Sequence, residues 1–377
     1  MEFSGCSSLT KITFPGGLET IANAFESCES LTDVYFGGTE EEWSAVSIMN
    51  TYNEALFNAK MHFIPKDVTR LYGKGRYETS FLMADELKEE LGVDKFDSVI
   101  VACGTNFADA LGGSYLAAEK KAPILLTGST DKRINAVISY VKANLKSNGT
   151  VYILGGESAV SPKIDSGLAS FNVKRLAGTD RYGTNVEILK EAGVPSGSEI
   201  IVATGKDYAD SLSASSVGKP LLLVKSKLTK DQTAFLGKLN NVSFTIIGGE
   251  SAVTEDTEKA LTSYGKMNPR LAGKNRFDTS VQVAEKYFDD PDAITLVYSH
   301  DFPDGLSAGA YASVKGSPVI LTRTTSIGRG AEAYIKGLSY VRESYTIGGP
   351  NQISDEAAVT LFDLMDTEYI DTVYRVE

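Results

Sequence analysis

One motif, written three times, constrains this chain more than anything else: RLYGKGRYET from Arg70, RLAGTDRYGT from Arg175 and RLAGKNRFDT from Arg270. Arg70 to Arg175 is 105 residues and Arg175 to Arg270 is 95, the period of a small domain rather than of a solenoid coil. Later landmarks recur in the same order. Apolar runs come first: SVIVACG at 98–104, EIIVATG at 199–205 and AITLVYS at 293–299. NFADAL from Asn106, DYADSL from Asp207 and DFPDGL from Asp301 follow, then PILL, PLLL and PVIL from Pro123, Pro220 and Pro318. Each copy closes on a glycine pair: Gly155-Gly156, Gly248-Gly249 and Gly348-Gly349.

The apolar runs are short, rich in β-branched residues and unalternated, which is how strands covered by helices on both faces read. Helical stretches such as 81–91 and 134–145 lie between them, so each repeat is expected to be α/β, with a parallel sheet and right-handed crossovers. Ser161, Thr254 and Ser354, six residues past the first glycine of each pair, are the expected N-caps of the next helix, with Pro162 suited to a first helical position. Gly75, Asp180 and Asn275 also fall where an N-cap belongs, which places Arg76, Arg181 and Arg276 in a first helical turn.

Ligands of such sheets collect at the loops beyond the strands' carboxyl ends. Three loops meet there, carrying the Asn/Asp-aromatic-x-Asp segment, the glycine pair and the arginine motif. In one reading each arginine pairs with the aspartate of its own repeat, Asp109, Asp210 or Asp304, fixing local geometry. In the other, one arginine of each pair stays free for an external anion. Both hold together if the second arginine is structural and the first, Arg70, Arg175 or Arg270, is exposed.

The first 64 residues read differently. They hold two basic residues against nine acids, a charge of −7, whereas the remaining 35 basic and 40 acidic residues give −5. The shift ends near His62–Pro65 and marks a boundary. FSGCSSLTKITF from Phe3 matches FESCESLTDVYF from Phe25, an offset of 22 residues, so Leu9 and Leu31, Ile12 and Val34, and Phe14 and Phe36 are expected to stack as layers. Cys6 and Cys28 would sit there as small hydrophobes, with a bridge between them left open, and Thr39 with Glu42 has capping-box spacing. Closing on GTEEEWSAV, this segment resembles the last coils of leucine-rich repeats of bacterial surface proteins. Two coils are too few for a solenoid alone, so the expectation is a piece of a longer protein whose secretion signal lies elsewhere.

Composition excludes several classes. A net charge of −12 and a pI near 4.9 argue against nucleic acid, which needs a basic face, and no run is long and apolar enough to span a membrane. Three dispersed cysteines and two histidines make neither a disulfide framework nor a zinc site. Enzyme signals are weak: the glycines of GKGRYETS from Gly73 are lost in the other copies, Cys103 is replaced by Thr204 and Tyr298, and His300 has no counterpart. Asp207 with Asp210 is a candidate divalent-cation pair, weakened by Asn106 at the matching position.

The four segments, three times in order, resemble the clostridial type 2 cell wall binding repeat family from Val68 to the end. The resemblance implies three Rossmann-like or toprim-like domains in a pseudo-threefold arrangement, without catalysis or cofactor. It also implies a cell-surface location and attachment to the Gram-positive wall, as in S-layer proteins, through an anionic cell wall polysaccharide or teichoic-acid-like polymer. The third copy departs at Pro303, Gly305 and Pro350-Asn351, which puts its ligand site in doubt. Expected divisions are 1–64, 65–174, 175–269 and 270–377. The alternatives are an assembly module that binds no polymer and a metal-dependent phosphoryl-transfer enzyme of toprim-like fold.

Finally, Thr372–Val376 restarts the motif and stops. Each Val-x-Arg-Leu strand is expected to complete the sheet of the repeat before it: Val173–Leu176 the first, Asn268–Leu271 the second and Thr372–Val376 the third. Val68–Leu71 must then close the ring or pair elsewhere.

Overall fold

The computed structural model describes residues 3–15, 18–49, 51–63, 67–339 and 341–365. The N-terminal segment is a parallel ladder of Lys11–Pro15, Asp33–Gly37 and Lys60–Phe63. The 22-residue offset is its register, since Ile12 lies beside Val34 and Phe14 beside Phe36, all buried. Identical spacing lets like side chains stack, and Phe3 on Phe25 at 4.8 Å adds a ring pair. Thr39 and Glu42 form the capping box, which sets Trp43 against Phe36. Both Cys6 and Cys28 are free, and Cys28 donates to the Phe3 carbonyl at 3.1 Å.

Beyond it lie three four-stranded parallel sheets. The first orders Asn172–Leu176, Leu145–Leu154, Phe96–Cys103 and Ile124–Thr127. The second orders Leu221–Val224, Glu199–Thr204, Ser243–Ile246 and Lys266–Met267, extended by a bridge from Ile247 to Leu271. The third orders Val319–Thr322, Ala293–Tyr298, Glu343–Ile347 and Asp67–Leu71. Unalternated runs such as Ile200–Ala203 are buried on both faces, as their composition requires.

In the first and third sheets an arginine-motif strand therefore completes the sheet of the repeat before it, whereas in the second the strand expected at Asn268–Leu271 is found at Lys266–Met267, with only Leu271 of the motif paired. The first motif strand closes the circle, with Val68 to Leu71 paired to Ser344 to Ile347. Thr372–Val376 lies outside the described residues, and the sheet edge expected for it is occupied by Asp67–Leu71. Helices begin at Arg76, Arg181 and Arg276, and the Asp180 and Asn275 side chains cap the latter two. Thr254 and Ser354 cap as expected, and at the start of the short helix Lys163–Gly167 the Lys163 amide donates to Ser161 Oγ at 3.3 Å, with Pro162 between them.

The units share side-chain packing. Arg76–Glu90 packs on Gly305–Lys315 of the third unit, Arg181–Ala192 on Ser114–Lys120 of the first, and Arg276–Tyr287 on Ala209–Ser213 of the second. Close approach needs small residues: a methyl added at Gly309 would stand 2.3 Å from Ser215 Oγ. No helix among the described residues is long and apolar enough to cross a membrane.

Candidate functional site

The two arginines of each motif have different surroundings. The first lies on the shared strand in the case of Arg70 and Arg175, or just before the Leu271 bridge in the case of Arg270, and reaches over the preceding glycine turn. Arg175 donates to Gly155 O at 2.8 Å and pairs with Asp165; Arg270 donates to Gly248 O at 2.8 Å and pairs with Glu258. Arg70 reaches Gly348 O at 3.3 Å, Ile353 O at 2.6 Å and Asp355 at 2.9 Å. With 16, 18 and 17% of the Arg70, Arg175 and Arg270 side chains exposed, the expectation that the first arginine is the free cation is corrected. The position beside the glycine turn forces this, because the guanidinium falls between the turn carbonyl and an acid of the following helix.

The second arginine clamps a strand end. Arg76 donates to Gly104 O, Arg181 to Gly205 O and Arg276 to Ser299 O, each at 2.7 Å. A charge-assisted hydrogen bond of about 1.5–3 kcal/mol outweighs the roughly 0.3–1 kcal/mol penalty of a cation at a helix N-terminus. From there each guanidinium crosses into the neighbouring unit. Arg181 lies 5.2 Å over Phe107, Arg276 5.4 Å over Tyr208 and Arg76 5.9 Å over Phe302. These three rings meet one another, with centroids 6.0, 5.8 and 5.5 Å apart. Sequence reasoning missed this role, although the second position of the Asn/Asp-aromatic-x-Asp segment is aromatic in all three copies.

The aspartates lie at the same seams. Charge attraction links Asp109 to Arg181, Asp210 to Arg276 and Asp304 to Arg76. The expectation that each pairs within its own repeat is therefore corrected: the loop after the first strand points across the seam, so its aspartate meets the next unit's helix. Burial dominates all three and pushes their carboxyls up. Asp210 rises to about 6, with Asp207 reinforcing the burial and Arg276 opposing it. At Asp304 burial also raises the carboxyl, opposed by the Thr79 hydroxyl and Arg76 and reinforced by Asp301.

The first glycine of each pair makes room for that carboxylate. Gly155, Gly248 and Gly348 have φ of +103°, +105° and +122°. A methyl on Gly155 would stand 2.6 Å from Asp109 Oδ2, and one on Gly248 only 2.2 Å from Asp210 Oδ2. Gly156 and Gly249 meet nothing within 4 Å, and Gly349 meets Tyr72 at 3.1 Å.

Among the described residues no three His, Cys, Asp or Glu side chains gather as a metal site. Asp207 accepts from the Tyr208 amide at Oδ1, 2.6 Å away, and meets Arg276 through Oδ2 at 3.4 Å, so both its oxygens are already engaged. His300 Nδ1 meets Ser299 Oγ, and Cys103 Sγ meets Thr105 Oγ1, each at 3.1 Å.

Comparison with known proteins agrees with this repeat. The chain is 27% identical over 301 residues to N-acetylmuramoyl-L-alanine amidase LytC of Bacillus subtilis (strain 168), covering 77% of this chain and 57% of that protein. It is 26% identical over 305 residues to the amidase enhancer of the same organism, covering 78% and 40%. It thus spans only about half the length of these relatives. Cwp8 and Cwp6 from Clostridium difficile superpose with TM-scores of 0.71 each, at 24% and 23% identity. The Cwp8 match covers 84% of this chain and 54% of that one, and the Cwp6 match 81% and 48%. The model of Cell wall binding domain 2 matches residues 70–165, 175–258 and 270–358, each match starting at the first arginine of a pair. The chain belongs to the Cell wall binding domain 2 (CWB2) family.

Proposed function

We propose that this chain is a non-catalytic anchoring module that holds a surface protein on the wall of a Gram-positive bacterium by binding an anionic secondary wall polymer. On this reading 65–174, 175–269 and 270–377 are three Rossmann-like domains in a pseudo-threefold ring, and 1–64 is the end of a leucine-rich ectodomain. The observation that carries it is the recurrence of one seam three times, with guanidinium, aromatic ring and buried aspartate supplied across each boundary. A repeating polymer suits a repeated site.

Arg76, Arg181 and Arg276 are the proposed contacts. The hydrogen bonds of Arg76 and Arg181 among the described residues use Nη1 alone, which leaves the rest of each guanidinium edge for an anionic oxygen. Arg70, Arg175 and Arg270 set the frame instead. Three sites of millimolar affinity, held rigidly, gain about 10²- to 10⁴-fold in avidity on one polymer. The activity in the amidase's name belongs to a protein of which this chain covers 57%.

The test is a salt titration of binding to purified wall polymer. Affinity should fall as a power of salt concentration, because each neutralised anion releases counterions. Affinity unchanged by salt would overturn the electrostatic contact.

A further inference from the structure

Away from the seams, each unit lays a second cation over the aromatic ring of its arginine motif. In the first unit Arg133 lies 4.4 Å over Tyr77 and is ion-paired with Glu78. In the second Lys225 lies 5.2 Å over Tyr182, with Asp180 at 4.0 Å. In the third Arg323 lies 3.9 Å over Phe277. Its guanidinium has no hydrogen-bond or carboxylate partner among the described residues.

The difference has a local cause. Asp278 stands where the first unit has Glu78, one methylene shorter, and its Oδ2 already accepts from Asn275 Nδ2 at 3.0 Å. The connection from the strand to the next helix is also longer here, running from Thr322 to the cap Gly328 rather than from Thr127 to Thr130. With Phe277 it borders an open cavity of about 530 Å³ lined by Arg323, Arg329, Asn275, Asp278, Ser326 and Glu332.

We propose that this cavity binds an acidic saccharide unit, a sugar or polyol bearing one phosphate or carboxylate. The anionic group lies between Arg323 and Arg329, and ring hydroxyls donate to Asp278 and Glu332. Stacking on Phe277 orders the Arg323 guanidinium before the ligand arrives, which lowers the entropic cost of binding. Guanidinium edges match phosphate and carboxylate oxygens, whereas carboxylates accept hydroxyls and repel a bare polyanion. Two arginines against two acids therefore select a polyol that carries a single acidic group. The volume lies within the roughly 300–1,000 Å³ of ordinary ligand sites. The source of such a ligand rests on the wall-polymer reading, but the location is separate from the seams and confined to the third unit, whose ligand site the sequence left in doubt.

The test is ligand-observed NMR titration of the full chain with glucose 6-phosphate, glucuronate, glucose and inorganic phosphate, run beside retention on purified walls. The first two should bind at millimolar concentration or below and outcompete glucose and phosphate. Arg323→Ala and Arg329→Ala should each weaken them about tenfold, the loss of one charge-assisted contact. Lys142→Ala, which removes one exposed charge elsewhere, should change nothing. Wild-type affinity in Arg323→Ala, or no binding of either acidic sugar at about 10 mM, overturns the inference. If neither sugar binds while walls retain the chain, the cavity assignment fails and the wall reading stands. If Arg323-dependent sugar binding is seen while walls do not retain the chain, the wall reading fails and the cavity stands.

Discussion

Arg181 lies 5.2 Å over the ring of Phe107, although the two residues belong to different repeats. Arg276 over Tyr208 and Arg76 over Phe302 repeat the crossing, the last joining the third repeat back to the first. Each unit thus lends a helix start to one neighbour and a strand or a bridge to the sheet before it. The three copies are interlocked, and the residues expected to meet a ligand are held from both sides of a boundary.

Asp210 gives the seam a pH signature. Burial against Gly248, strengthened by Asp207 and opposed by Arg276, lifts its carboxyl from 3.8 to about 6. The native state then binds the proton more tightly than the unfolded chain, so ionising Asp210 destabilises the fold. That penalty is absent below about pH 4, complete above about pH 6 and at most about 3 kcal/mol. Asp109 and Asp304 shift in the same direction. Asp210→Asn should therefore raise the thermal unfolding midpoint at pH 8 and leave it nearly unchanged at pH 4. A lower midpoint at pH 8 would mean that attraction to Arg276 outweighs burial.

The glycine pair should respond unequally. Gly248→Ala places a methyl 2.2 Å from Asp210 Oδ2 at a φ of +105°, so it should cost about 2–4 kcal/mol in urea denaturation. Gly249→Ala meets nothing within 4 Å and should stay within about 0.5 kcal/mol of wild type. Equal effects would contradict the role given to the first glycine.

Much of this was legible in the sequence because it is local. Apolar runs without alternation became buried parallel strands, Asp180 and Asn275 became caps, and the 22-residue offset became a strand register. The partner of each arginine was not legible. Three similar copies read the same whether Asp109 faces Arg76 of its own repeat or Arg181 of the next, and only the direction of the loop decides. Nor does spacing reveal that Arg133, Lys225 and Arg323 are alike, since Arg133 arises from a helix and Arg323 from the loop before one.

The shared strand makes a deletion prediction. A chain beginning at Asp67 keeps the pairing of Val68–Leu71 with Ser344–Ile347 and should unfold at the same urea concentration as residues 67–377 do within the whole chain. A chain beginning at Tyr72 exposes the edge of Glu343–Ile347 and removes buried Leu71, so its third unit should unfold earlier and aggregate. Hydrogen exchange at the Gly348 amide, which donates to Leu71 O at 3.0 Å, reads this directly, and unchanged protection would contradict the closed arrangement.

The central claim is that this module grips the wall through an anionic polymer. Retention of the full chain should be measured on purified Gram-positive walls before and after their anionic polymers are stripped. The account predicts strong retention on intact walls and loss on stripped ones; equal retention on both would contradict it.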